Sequence, residues 1–380
     1  DKQLSYQIQT ETSPLYLKDL PNIWPQSFST VIRTWMLSYL TEGVIDKATL
    51  NISGIYAIDT KHHTLEKLDG SITMDHTAVE FMEGMPKIQD SSAIAKFTDH
   101  SFEIDVLSGN IKDMHIKKGK IVFTDIDQIN QDALIDLTID APLDQVLWLI
   151  SLPKLDFLSV FDSPLSEYSG HLNLELSLKF PLKTTLDPKE ITPKVRAHVS
   201  DAQLKTQVGE NPLWISKAQL DFLLDEDHIK IKGPLLLNEQ NAQIDLLKNL
   251  STHDTAYRLN LETSLPMFSK FLGFSLMQYI NIEGPFIVDL EYIQNKNKPD
   301  TLHATIDLKN SYCSLPLLQW EKHKNTAGSF KVSALFNPDL IRLEIPFCSL
   351  PNLKLIGAVD FGLRKWKKID INSFEWYRNA

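Results

Sequence analysis

The chain has 380 residues, of which 43% are hydrophobic, and a formal net charge of -11. That length suffices for a large buried surface, and the acidic balance argues against a nucleic-acid partner, which needs clustered Lys and Arg. The densest basic run, Arg364, Lys365, Lys367 and Lys368, reads as a solvated strand edge. Two cysteines, Cys313 and Cys348, are too few for a disulfide framework and lack metal-ligand spacing. No uninterrupted apolar window is long enough to cross a bilayer, and the start at Asp1 lacks both an initiator Met and a signal-like core, so an excised region of a longer protein is expected.

The first predicted element, "WPQSFSTVIRTWMLSYLTEG" (24–43), is a short amphipathic helix. Ile32, Trp35, Met36, Tyr39 and Leu40 recur at the spacing of one face. Period-two alternation then dominates. "FEIDVL" (102–107), "ALIDLTID" (133–140), "KVRAHVS" (194–200), "AQLDFLL" (218–224), "FIVDLEYI" (286–293), "LHATIDL" (302–308), "SFKVSALF" (329–336) and "IRLEIPF" (341–347) all read as half-buried strands. The clearest is "HLNLELSLKF" (171–180). Turns are expected at Asp69-Gly70, Lys118-Gly119 and Asn337-Pro338.

Two more helices are predicted, at 141–161 with an interruption at Pro153, and at 264–280 with Ser264 as N-cap. The second carries an apolar stripe of Phe268, Phe271, Phe274 and Met277, which reads first as packing on the sheet and, were the sheet a groove, would also border its path. Each helix precedes a glycine that opens a strand: Gly43, Gly170 and Gly284, separated by 127 and 114 residues. Sixteen to 22 residues after each glycine comes a segment reading strand, polar bend, strand: 65–86, 191–212 and 300–321. The expected architecture is therefore all-β with a few short helices, a curved antiparallel sheet built from about three helix-plus-strands modules at 1–140, 141–263 and 264–380.

Such a sheet must cover its apolar face, either with a second sheet or by curving it into an elongated groove, and alternation alone leaves both open. The predicted inward face comprises Leu172, Leu174, Leu176, Leu178 and Phe180, then Val195, Ala197 and Val199, then Leu220, Phe222 and Leu224. It continues through Phe286, Val288, Leu290 and Tyr292 to Ala304, Ile306, Phe330, Val332, Ala334 and Phe336. One short amphipathic helix per module would lie across it or cap its mouth, burying Trp35 or Trp148 against the strands. Cys313 and Cys348 should close strands two apart and stay unbridged.

Signs of chemistry are sparse. Histidines 62, 63, 76, 100 and 115 crowd the first module without HxH or HExxH spacing, so no metal or other cofactor is expected. The acidic "DEDH" (225–228) suits a hairpin bend, and no nucleophile elbow or phosphate-cradling loop occurs. The chain reads as a non-enzyme.

Trp24-Pro25, Arg33, Trp35 and Gly43, followed by "DKATLNISG", "LEKLDGSITMDHTAVEFMEGMPKI", "FEIDVLSGNIKDMHIKKGKIVFTDID" and "PLDQVLWLISLPKLDF", resemble the YhdP-type members of the AsmA-like group of Gram-negative bacteria, over roughly residues 16–245. The resemblance implies a periplasmic β-groove, open along its length and held to the inner membrane by an N-terminal helix that this sequence lacks. Its implied role is phospholipid transport in outer-membrane biogenesis, with no catalytic residues and with further modules or envelope proteins at its ends. A different class, a periplasmic scaffold holding partner proteins through its sheet edges, fits the same alternation.

Overall fold

Long alternating segments favour extended strands, and these form the body of the molecule. The computed structural model describes residues 3–12, 14–23, 30–80, 84–124, 131–153, 155, 166–182, 190–208, 211–272, 280–337, 340–362 and 365–376. The protein is mostly antiparallel β-sheet with a few short helices, as the alternation predicts. The chain divides into two units, Asp1–Phe161 with His171–Ala197, and Asp162–Gly170 with His198–Ala380.

The first unit is an open meander. β1 (Gln3–Thr12) and β2 (Leu15–Tyr16) both pair with β3 (Leu40–Ala57). From β3 the sheet runs through β4 (His62–Val79), β5 (Ile88–Thr98), β6 (Ser101–Ile111), β7 (Met114–Thr124) and β8 (Asp132–Pro142) to β9 (Ser166–Pro181), every step antiparallel. Two helices, α1 (Leu20–Ile23) and α2 (Thr30–Tyr39), precede β3, and α3 (Leu143–Ile150) follows β8. β9 divides between the two units at Gly170 and His171, and so does the next strand, β10 (Thr192–Val208), at Ala197 and His198.

In the second unit β11 (Asn211–Leu224), β12 (His228–Leu237), β13 (Gln240–Asn249) and β14 (Thr255–Thr263) lead into α4 (Leu265–Leu272). A short β15 (Asn281–Glu283) follows, then β16 (Phe286–Gln294), β17 (Asp300–Asp307), β18 (Tyr312–Leu315) and β19 (Trp320–Lys322). β20 (Ser329–Asn337), β21 (Leu340–Ser349), β22 (Leu353–Gly362) and β23 (Lys365–Trp376) complete it. The main sheet pairs β14 with β16, β16 with β17 and β17 with β20, while β15, β18 and β19 form a separate three-stranded sheet.

Several sequence expectations need correction. Asp69-Gly70 and Lys118-Gly119 are not turns but lie inside β4 and β7. Each glycine makes room for a cross-strand neighbour: the Phe97 ring covers Gly70 and the Leu137 side chain covers Gly119. The opening helix ends at Tyr39, and Leu40 already belongs to β3. Helix is also not confined to three places, since α1 and 3-10 turns at Leu17–Asp19 and Pro316–Leu318 add to it. Cys313 sits in β18 rather than at the end of β17, because the chain breaks at 308–311. Both thiols are free.

The glycines and polar bends lie at bulges. Gly43 (φ 128), His76 (φ 50) and Asp90 (φ 51) occupy neighbouring strands β3, β4 and β5, where the pairing registers slip. Gly43 is tight against Thr77: an added Cβ would stand 2.8 Å from the Thr77 Cα. In the second unit Gly170 (φ 138) would meet the Ala202 Cα at 2.9 Å, beside Asp201 (φ 50), and Lys217 (φ 50) precedes the buried Ala218. At Gly284 (φ 97) the strand is broken outright, separating β15 from β16.

Candidate functional site

In the first unit the alternation of β9 is matched residue for residue by β8. Leu172 lies opposite Ala141, Leu174 opposite Ile139, Leu176 opposite Leu137, Leu178 opposite Ile135 and Phe180 opposite Ala133, so all five predicted residues share one apolar face. The face continues to Ile121 and Phe123 of β7 and to Phe102 and Ile104 of β6. Leu172 is buried, whereas Leu174, Leu176 and Leu178 are half-buried. In β10, Val195 and Ala197 of this unit and Val199 of the second are likewise half-buried, between exposed Lys194, Arg196 and His198.

In the second unit, cross-strand pairing brings together Phe222 with Ile231, Leu246 with Tyr257, Leu259 with Leu290, Leu290 with Ala304, and Ala304 with Val332. Tyr292, Leu302 and Ala334 form a parallel row, as do Val288, Ile306 and Phe330. Phe336 stands edge-on to Tyr292 at 6.2 Å. Leu220 and Leu224 flank Phe222 at two-residue spacing and are half-buried with it. The two apolar faces are therefore each contiguous within their own unit.

Helices and small elements close one margin of each face. Met36 of α2 is 1% exposed and packs with Leu17, Leu20 and Ile45 onto Met74, Phe97 and Phe102. Leu37 and Leu40 pack against the same cluster, and Tyr39 is half-buried. Ile32 and Trp35 have side chains outside the described residues. Leu17, Leu20 and Leu37, which the helical spacing did not single out, share the capping role because the chain before α2 folds back as a turn and a short helix. α3 packs Val146, Trp148 and Leu149 over Ile111, Met114 and Ala141, with the Lys112 ammonium 3.1 Å from the centre of the Trp148 ring.

In the second unit the sequence predicts a helix as cap but not the small sheet beside it. α4 and the small sheet bury Phe286, Val288 and Ile306, with Leu265, Leu308, Cys313, Trp320 and Leu353, so these predicted lining residues are core. Phe330 packs against that cluster. Phe268 meets the Phe286 ring edge-on at 5.6 Å; Phe274 and Met277 lie outside the described residues, as does the Phe271 side chain. The Lys322 ammonium is buried within this cap and donates to the carbonyls of Leu308 (2.7 Å), Ser311 (2.9 Å) and His323 (3.2 Å), which satisfy the buried charge. Burial pushes the Cys313 thiol up to about 11.

The opposite margins carry aromatic rings with polar tips. In the first unit Tyr6 stacks on His63 at 5.2 Å and its hydroxyl bonds the His63 ring nitrogen. In the second, Tyr292 donates to Asp300 at 2.6 Å, Tyr257 reaches Gln294 at 3.5 Å, and the two rings lie 6.0 Å apart. Burial, then the Asp300 carboxylate, pushes the Tyr292 phenol well up.

The outer faces are charged and self-paired. Asp221, Lys232, Asp245, Arg258, Glu291 and His303 succeed one another across β11 to β17. Arg258 meets Glu291 at 2.9 Å and His198 meets Asp221 at 3.0 Å. They line an open depression of about 1040 Å³, a shape a twisted sheet produces on a polar face. With its charges matched internally, this depression is a weaker candidate than the uncovered apolar side. His76 pairs with Asp90 at 2.5 Å, which raises its pKa above the ordinary histidine value. Asp225 caps the 225–228 bend, its carboxylate pKa lowered by the backbone N–H groups of Asp227 and His228. Among the described residues no group of His, Cys, Asp and Glu has metal-binding geometry, and no helix is long and apolar enough to cross a membrane.

No curated protein and no solved structure matches the chain. The family model described as YhdP protein matches residues 11–349, and with nine-tenths of its sequence inside that match the chain belongs to the YhdP family.

Proposed function

We propose that this chain is a section of a periplasmic lipid-transfer groove whose apolar faces shield phospholipid acyl chains in passage between the inner and outer membranes. The observation that carries the reading is the row of half-buried leucines on β9, opposite an equally half-buried row on β8. Aliphatic ladders of this size ordinarily pack beneath another layer, and a partly open one suits a mobile apolar ligand. Shielding needs no reacting group, so the role is passive and no cofactor takes part. The three helix-plus-strands modules at 1–140, 141–263 and 264–380 are proposed as successive sections of the groove, each with its own bend and cap.

The test uses photoreactive side chains in cells. Crosslinkers at Leu174, Leu176 and Leu178 should capture phospholipid, and those at Asn173, Glu175 and Ser177 should not; equal capture at both sets rejects the reading. A scaffold role has one observation in its favour: among the described residues β23 pairs with β22 alone and leaves Ile369 and Ile371 61% and 63% exposed. Capture of envelope proteins at β23 without lipid capture at β9 would put that reading first.

A further inference from the structure

Edge strands carry unpaired N–H and C=O groups, and proteins that stay single guard them with lysine, proline, bulges or a covering segment. β23, which pairs with β22 alone among the described residues, is guarded in this way: it has three lysines, Lys365, Lys367 and Lys368, and its pairing slips twice. β1 in the first unit has none of these guards. Among the described residues it pairs with β3 alone, nearly all of it is exposed, and the pairing from Gln3–Ala57 to Thr12–Ala48 runs without a slip. Its sequence, "QLSYQIQTET", contains no proline and a single charge, Glu11, which is paired with Lys47 at 3.0 Å.

The strand is also apolar on one side. Leu4, Tyr6 and Ile8 lie opposite Tyr56, Gly54 and Ile52 and so extend the inner face of the sheet. Tyr6 is held there, its ring lying over the bare Gly54 and stacked on His63. Leu4 and Ile8 remain 57% and 49% exposed, and Leu65, opposite Gly54 on β4, is exposed as well. An open edge and an exposed apolar row therefore coincide on one strand.

We propose that β1 pairs with β1 of a second copy of this chain, antiparallel about Gln7. A strand can pair with itself only where its own side chains suit one another across the two-fold axis. About Gln7, Tyr6 lies opposite the partner's Ile8, Leu4 opposite its Thr10 and Ser5 opposite its Gln9. No charge meets a like charge, because Glu11 falls opposite the partner's Gln3, at the end of β3 where the turn has both Asp59 and Lys61. The even-numbered residues of both copies stay on one side, so the two inner faces join into one. The pairing needs no lipid and stands apart from the groove reading.

The experiment is sedimentation of the full chain over a concentration series. One strand from each copy makes an interface smaller than that of a permanent dimer, so the series should reach about 0.3 mM. Two variants accompany it: Gln7→Lys, which sets like charges directly opposite each other on the two-fold axis, and Gln7→Thr, which does not. The unaltered chain and Gln7→Thr should both shift toward the mass of two copies as concentration rises. Gln7→Lys should sediment as one copy throughout, with its melting temperature unchanged, since Gln7 is exposed opposite Ser53. An unaltered chain that stays single at every concentration overturns the proposal. Association that survives Gln7→Lys also overturns it, because the contact then lies elsewhere, as at β23. A photoreactive side chain at Gln7 in cells should link two copies of the chain; capture of a different protein there, without the linked pair, assigns the edge to that partner and overturns self-pairing.

Discussion

Leu176→Glu separates an open apolar face from an ordinary core. Leu176 is half-buried opposite Leu137, which in turn covers Gly119. Full burial of a leucine is worth about 1.5–3 kcal/mol, so losing its half-buried contacts costs about 1–1.5 kcal/mol. A carboxylate there can keep much of its hydration, so no further penalty of several kcal/mol applies. For a unit of this size that corresponds to a fall of about 2–6 °C in melting temperature. At Ile104, 5% exposed within the core cluster beneath α2, the same substitution buries an unpaired charge, costs several kcal/mol and should unfold most of the unit. Scanning calorimetry of both variants, with phospholipid extracted from each purified protein, gives the readout. Leu176→Glu should remain folded and lose lipid. If it unfolds as Ile104→Glu does, or retains a full complement of lipid, the open-face reasoning fails.

Gly170→Ala combines a left-handed φ with contact against the Ala202 Cα, and should lower stability by about 1–3 kcal/mol in a denaturant titration; Gly284→Ala, with its nearest neighbour at 3.4 Å, should cost less. His76 has its pKa raised by Asp90 and Asp75, so its contribution is fully present below about 6.5 and fades as pH rises through the higher folded value. An NMR titration of His76 with a midpoint at or below that of the unfolded chain would contradict this, and Asp90→Asn should bring the midpoint down. Both cysteines should be alkylated after unfolding, and Cys313 should be silent in the native protein, being buried with a thiol pKa near 11; absence of free thiol in the unfolded chain would rule this out.

The strands were legible because one face stays apolar over many residues, and "HLNLELSLKF" is read correctly from its alternation alone. The caps were not. Phe286, Val288 and Ile306 have the same alternation as Leu174 and Leu176, and only the separate sheet of β15, β18 and β19 distinguishes covered from uncovered residues. That sheet consists of strands three and four residues long, too short to leave a period.

The polar bends did carry a signal, in the parity of the apolar positions. In β4 the inward residues are even-numbered through Ile72 and Met74 and odd-numbered at Thr77, the slip falling at His76. In β5 the inward Ala93, Ala95 and Phe97 continue to Ser91, and the slip to Ile88 falls at Asp90. β10 changes from Val195, Ala197 and Val199 to Ala202 at Asp201. One extra residue in a single strand would turn everything beyond it to the wrong face of its neighbour. Extra residues at matching levels in adjacent strands keep the faces aligned and bend the sheet along a line. Thr77 and Ser91 hold that level in the first unit, buried together, with Thr77 donating to the Ser91 carbonyl at 2.9 Å and Ser91 to the Thr77 carbonyl at 3.0 Å. Gly43 brings β3 to the same level, since only a residue without a side chain fits against Thr77 at φ 128. A glycine, then two strands slipping parity together, is therefore the mark by which a helix-capped bend of this kind can be recognised in sequence.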